Sequence, residues 1–184
     1  TSRYIPKKSM KVILVAVTSI DGKTTKWGDP NIYKWTSKED HDQFFSLVTS
    51  HNLIVMGSKT YTAAKSVLKL APGKMTLVMT RTPEKYSHET IPGQLEFTDE
   101  SASELVEKFR DKYDELLLTG GAETNLLFLK EKLVDEIILT LEPHLFANGT
   151  SLVANEKLDI NLTLLSMEKL NEQGTLLLRY KVMA

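Results

Sequence analysis

Apolar residues fall into short continuous runs separated by stretches with helical spacing. "KVILVAV" (11–17), "NLIVMG" (52–57), "KMTLVMT" (74–80), "QLEFT" (94–98) and "ELLLTGG" (115–121) have strand length. Such runs mark strands buried on both faces. "DEIILTLEPHLF" (135–146) predicts a longer strand. Between the runs, residues 38–50, "SKTYTAAKSVL" (58–68), "SASELVEKFRDKY" (101–113) and "AETNLLFLKEKL" (122–133) predict helices. In the third, Leu105, Val106 and Phe109 share one face behind Ser101 as N-cap. The tail "NLTLLSMEKLNEQGTLLLRYKV" (161–182) reads as two strands around a turn. Strands alternating with helices predict an α/β domain with a mostly parallel sheet, and the closing hairpin makes that sheet mixed. With no repeat, low-complexity tract or linker, the expectation is one domain over 10–184, preceded by an arm at 1–9.

The 184 residues suffice for one sizeable core, and 41% hydrophobic with 26% charged residues is ordinary for a globular chain. A net charge of −1 gives no electrostatic reason to expect nucleic acid or an anionic membrane as partner. The lack of cysteine excludes disulfides, thiolate nucleophiles and Cys-ligated metals, and suits a reducing compartment. No apolar run approaches the ~20 residues that span a bilayer, and "TSRYIPKKSM" has no apolar segment of a secretory signal behind it. A cytoplasmic protein is therefore expected. His41, His51, His88 and His144 show no metal-ligand spacing, so no metal is expected. Ser19 and Ser58 lie in no G-x-S-x-G context, which argues against a hydrolase.

Three strand ends carry related chemistry. In "VMGSKTY" the strand stops at Gly57, and Ser58, Lys59 and Thr60 open a helix whose free N–H groups suit phosphate. In "VMTRTP", Thr80, Arg81 and Thr82 follow a strand, and Arg is a natural phosphate partner. In "LLLTGGAETN", Gly120 and Gly121 permit close backbone approach ahead of Ala122, Glu123 and Thr124. Each alone reads as turn chemistry. Together, at the C-terminal ends of strands, they predict a phosphate-bearing ligand at that edge. Neither a G-x-G-x-x-G nor a P-loop motif is present. The polar loop "TSIDGKTTKWGDPNIYKW" (18–35) is long for a connection and is expected to be functional, as a lid over the site.

The stretch "KWTSKEDHDQFF" (34–45) poses a question of its own. Ser37 is a plausible N-cap with Asp40 at the third helical position, which resembles a capping box with Asp in place of Glu. Yet positions 40, 44 and 47 lie one above another on a helix. The acid thus shares a face with Phe44 and Leu47. Opposite Thr140 of a strand it would sit in low dielectric with a raised pKa. One oxygen could cap while the other faces substrate. Glu142, on the same side of its strand as Thr140, could bind substrate or line a solvated edge, and the edge is the expectation.

The order of these motifs, from Met10 to Val182, resembles the dihydrofolate reductase superfamily, which includes the C-terminal reductase domain of riboflavin biosynthesis. The resemblance implies NADPH-dependent hydride transfer to a small heterocycle on a three-layer α/β/α fold. Toward the dihydrofolate branch, it maps the substrate-protonating acid to Asp40 with Thr140 beside it. It maps the pterin-stacking ring to Phe44, and further substrate contacts to Val15, Trp35 and Lys74. It maps cofactor contacts to Ala16, Asp21, Gly22 and Lys23, to Gly57–Thr60, to Thr80–Thr82 and to Gly120–Thr124. Toward the riboflavin branch, "TSIDGK", "WTS", the Asn of "GGAETN" and "EPHLFANGTSL" are similar. Three positions where one or other branch keeps Arg hold Ser58, Lys74 and His41. The riboflavin branch's "DDP" motif is missing, and the sequence contains no deaminase domain. The expectation is dihydrofolate reduction, with a phosphoribosylamino-pyrimidine reductase as the alternative and a non-catalytic nucleotide-binding module as the third reading. The superfamily includes monomers and edge-paired dimers, so a homodimer is possible on this resemblance.

Overall fold

The computed structural model describes residues 9–184; of the expected arm, residues 1–8 lie outside the description. Its centre is an eight-stranded sheet of β1 (Lys11–Ser19), β2 (Leu53–Gly57), β3 (Met75–Met79), β4 (Leu95–Thr98), β5 (Glu115–Leu118), β6 (Glu136–Glu142), β7 (Leu162–Lys169) and β8 (Leu176–Val182). The strand order is β4-β3-β2-β5-β1-β6-β8-β7. The first six run parallel, and β8 and β7 close the sheet antiparallel. Four helices connect them: α1 (Lys38–Ser50), α2 (Ser58–Ala64), α3 (Ala102–Phe109) and α4 (Ala122–Lys130).

Alternation along each strand divides the apolar residues between two layers. Val12, Leu14, Leu116 and Leu118 pack with Leu105 and Phe109 of α3 and Phe128 of α4. Ile13, Val15, Leu117 and Ile138 pack with Leu47 of α1 and Tyr61 of α2. The sheet is therefore covered on both faces, which is why its central strands read as unbroken apolar runs. Leu14, Leu53 and Leu116–Leu118 are fully buried, and each such side chain contributes roughly 1.5–3 kcal/mol.

Some elements end earlier than the pattern predicts. The strand expected over 135–146 stops at Glu142, because Pro143 has no N–H for the ladder and the chain turns at Ala147 with φ +62°. α3 ends at Phe109 rather than residue 113. α2 ends at Ala64, where Val67 N–H bonds the Ala64 carbonyl in a turn. The loop after β3 contains a 3-10 segment, Pro83–Glu89, whose Tyr86 stacks on Phe97 at 4.5 Å. β7 pairs with β8 alone, and all eight of its residues are exposed.

Candidate active site

Because β2 and β5 are neighbours, the two glycine segments meet at the strand edge. Gly57 N–H donates to the Gly120 carbonyl at 2.8 Å. A Cβ on Gly57 would stand 2.5 Å from Thr124 Oγ1, and one on Gly121 would stand 3.2 Å from Thr60 Oγ1. Gly120 has φ +95°, open to glycine at little cost. The starts of α2 and α4 are thus locked face to face, and a side chain at either contact would push them apart. Gly121 caps α4 without a side-chain bond, leaving first-turn N–H groups for a ligand. Lys59 and Glu123 are highly exposed and pair at 3.5 Å across the two helix starts. Thr80, Arg81 and Thr82 follow β3, the next strand; Arg81 is exposed, and Thr82 N–H bonds Thr80 Oγ1 at 3.3 Å. Behind the glycines, Asn125 donates to the Leu152 carbonyl at 2.9 Å, while its buried Oδ1 has no partner among the described residues. This donor set fits the phosphates of a nicotinamide dinucleotide: backbone amides at an uncapped helix start, a glycine contact that excludes side chains, and Arg81 and Lys59 at the rim.

Asp40 lies at the other end of that edge. It sits in the first turn of α1 and is 5% exposed. Its carboxyl bonds Thr140 of β6, and its pKa is pushed up from 3.8 to about 6. Burial is the main cause; the Thr140 hydroxyl opposes it, and the Glu142 carboxylate adds to it. Phe44, one turn on, packs with Val15 in the apolar layer beneath α1. Ala16 is on the opposite face of β1, against the α3–α4 layer.

The capping box expected here is only half formed. Ser37 Oγ accepts from Asp40 N–H at 3.2 Å. The Ser37 N–H, which a box would give to the acid at 40, instead goes to Glu142 Oε1 at 2.7 Å. Asp40 therefore does not share its oxygens with the cap. Glu142 is not at a solvated edge either: it is 2% exposed, and its other oxygen accepts from Thr175 Oγ1 at 2.6 Å. Nothing local in the sequence marks this residue, because its partners are 105 residues before it and 33 after. A cavity of about 200 Å³ opens beside it, lined by Trp35, Glu39, Glu142, His144, Asn171 and Thr175 among others. Trp35 is buried edge-on against Phe146 at 5.0 Å, and its indole N–H has no partner among the described residues.

Two expected ligand contacts turn out to hold the fold together. Lys74 Nζ donates to the carbonyls of Val48, Thr49 and His51 at 2.9, 2.5 and 3.2 Å. It closes the C-terminal end of α1, where orphan carbonyls and the negative dipole end favour a cation, and does not reach out for a substrate tail. Asp21 accepts from Ser19 Oγ at 2.7 Å, Ala147 N–H at 2.7 Å and Phe146 N–H at 3.2 Å. These bonds, the Ser19 hydroxyl first, hold its pKa down to about 2. The carboxylate thus latches the loop after β1 to the loop after β6. Gly22 (φ +75°) makes the turn, and the Lys23 ammonium lies 3.5 Å from Ser151 Oγ. Thr24 and Trp27 N–H groups bond the Thr150 and Asn148 carbonyls. The stretch expected to be a lid is tied down along much of its length; Trp27, 69% exposed with Lys26 Nζ 4.7 Å from its ring, stands out from it, with Ile20 and Tyr33 also exposed.

The fold is that of the dihydrofolate-reductase-like superfamily. Within it, the model of the RibD C-terminal domain matches residues 10–176, and the chain belongs to that family. It is 26% identical over 151 residues to the uncharacterized protein YwjB of Bacillus subtilis (strain 168), covering 77% of this chain and 82% of that one. Among solved structures, a pyrimidine reductase-like protein from Corynebacterium diphtheriae superposes with TM-score 0.76 at 14% identity, over 96% of this chain and 93% of that one. A diaminohydroxyphosphoribosylaminopyrimidine deaminase/5-amino-6-(5-phosphoribosylamino)uracil reductase from Thermotoga maritima superposes with TM-score 0.74 at 15% identity. That match covers 98% of this chain but 58% of the larger protein. At such identities the structural matches carry the fold. The family match places the chain on the riboflavin-type branch of the superfamily, and the expectation of folate reduction finds no support among these relatives. Among the described residues no helix is long and apolar enough to cross a membrane, and no group of three or more His, Cys, Asp or Glu could hold a metal ion.

Proposed function

We propose that the chain is an NADPH-dependent reductase of a phosphoribosylamino-substituted pyrimidine, the class of substrate named for the two-domain relative from Thermotoga maritima. The observation that carries the reading is Asp40, a buried acid bonded to Thr140 with a pKa near 6, on the strand edge that also holds the glycine contact. When bound, NADPH supplies hydride. Gly57–Thr60, Thr80–Thr82 and Gly120–Thr124 would hold its phosphates, and its nicotinamide would reach β1 near Ala16 and the Gly22–Lys23 turn. A glycosylamine opens to an imine; its reduction puts hydride on the sugar carbon and one proton on the attached nitrogen. Asp40 is the group suited to hold that proton, since an acid with its pKa near the working pH serves general acid catalysis well. Val15, Phe44 and Trp35 supply apolar surface for the ring. Lys74, committed to the end of α1, leaves no cation at the position that would grip a folate tail.

The test is oxidation of NADPH by purified protein with 5-amino-6-(5-phosphoribosylamino)uracil, and in parallel with dihydrofolate. Saturable turnover with the pyrimidine alone supports the reading. Turnover with dihydrofolate alone would favour the second reading, which the Asp40, Phe44 and Thr140 arrangement also permits. Tight NADPH binding with neither substrate turned over would leave a nucleotide-binding module. The fully exposed β7 edge, with Leu164, Leu165 and Met167 about half exposed or more, supports a homodimer paired strand to strand. Sedimentation of a Leu165→Lys variant tests it, the expected result being loss of a dimer seen in wild type.

A further inference from the structure

Helix α1 starts inside a chain of hydrogen bonds that reaches the turn between β7 and β8. Asn171 donates to Glu39 at 3.2 Å and to Thr175 Oγ1 at 2.9 Å; Thr175 Oγ1 donates to Glu142 at 2.6 Å. Glu142 in turn accepts the Ser37 N–H at 2.7 Å. The same Asn171 accepts from Gly174 and Thr175 N–H, fixing the turn that presents the Thr175 hydroxyl. Both oxygens of the Glu142 carboxylate are thus engaged, one by the Ser37 amide and one by the Thr175 hydroxyl.

We propose that Glu142 is the positioning residue for Asp40: by taking the N-cap amide of Ser37, it leaves the Asp40 carboxylate turned to Thr140 and to substrate. The proposal rests on the reading of Asp40 as the substrate-facing acid. An acid at the third helical position ordinarily folds back to the N-cap amide. α3 does so: Ser101 N–H donates to Glu104 Oε2 at 2.7 Å, and Ser101 Oγ accepts from Glu104 N–H at 3.2 Å. In α1 the amide is already occupied from another strand. A backbone N–H has one proton to donate, so Glu142 and Asp40 cannot both accept it well. The ionisable groups that bear on Asp40 are few. β6 contributes Glu142 beside Thr140; on its own helix Glu39 is drawn to Asn171, and His41 is held 2.6 Å from Thr36 Oγ1. His144, after β6, lines the cavity beyond Glu142.

The experiment is a carbon-13 titration of the Asp40 side-chain carboxyl in full-length protein without ligand, in wild type, Glu142→Gln and Glu142→Leu. It needs no substrate, so it decides this proposal even if the reductase reading fails. Gln keeps an acceptor for Ser37 and removes the charge; the Asp40 midpoint should fall by about one unit, with the Ser37 amide still protected from exchange. Leu removes the acceptor; Asp40 should swing to the freed amide, and its midpoint should fall further, into the range of a capping acid. If Glu142 were merely structural, Leu would lower the midpoint no further than Gln does, or raise it by added desolvation, and that result overturns the proposal. If the Leu variant does not fold, Glu142→Met, which likewise removes the acceptor, takes its place under the same criterion. Where turnover is measurable, the alkaline limb of the kcat profile, on which a proton donor is lost, should move with the titration.

Discussion

Helices α1 and α3 both open on Ser-x-x-acid, Ser37 to Asp40 and Ser101 to Glu104, and both serines accept the amide of the third helical residue. The acids then part. Glu104 is exposed and closes its own box; the Ser101 amide holds its pKa below the ordinary glutamate value. Asp40 is buried, is denied the Ser37 amide by Glu142, and has its pKa raised to about 6. The same local motif thus gives a helix cap at one site and an available acid at the other. What separates them is the tertiary environment: a neighbouring strand supplies a competing acceptor and removes water. α4 takes a third course, opening on Gly121 with no side-chain cap.

The largest expected effect is at Asp40. Replacing it by Asn keeps the shape and an acceptor for Thr140, and should lower kcat/KM in the reductase assay by about 100-fold or more. The same variant should be more stable than wild type near neutral pH. In the folded state the pKa is raised from 3.8 to about 6, so the native protein binds the extra proton between those values. Wild-type stability should therefore fall as pH rises from about 4 to 6, by at most ~3 kcal/mol from this group. Urea melts of both proteins across that window measure it, and Asp40→Asn should lose the slope. A variant less stable than wild type at neutral pH would mean that the acid is a cap after all.

At the uncapped start, Gly57→Ala sets a Cβ against Thr124 and should cost roughly 1–3 kcal/mol, with weaker NADPH binding by calorimetry. At the far end of α1, Lys74→Met should cost about 1–2 kcal/mol through lost bonds to three carbonyls, with the KM for substrate unchanged. A raised KM would return Lys74 to the substrate site. Smallest is Ser101→Ala in α3: about 1 kcal/mol of stability and no change in turnover.

Much of this was legible in the chain. Continuous apolar runs announced strands covered on both faces, and the spacing of Asp40, Phe44 and Leu47 announced an acid on the packed side of its helix. The strand-end glycines were visible as turn chemistry at one edge. What stayed hidden depends on distant partners. Glu142 finds Ser37 across 105 residues, and Asp21 finds the amides of Phe146 and Ala147 across 125 and 126. Lys74 reaches back 23–26 residues to a helix end. A carboxylate or ammonium carries no local mark of whether its partner will be a ligand or a backbone group, so from sequence Lys74 and Asp21 read as ligand contacts and Glu142 as a solvated residue. Substrate choice was hidden for a related reason, since both branches of the superfamily share the same strand edge.

Carbon-13 titration of Asp40 and Glu104 in one sample of wild-type protein tests the central contrast most directly. The account predicts a midpoint near 6 for Asp40 and one below the ordinary glutamate value for Glu104. An Asp40 midpoint at or below 3.8, its ordinary value, would show that both acids are caps and would remove the proposed proton donor from the site.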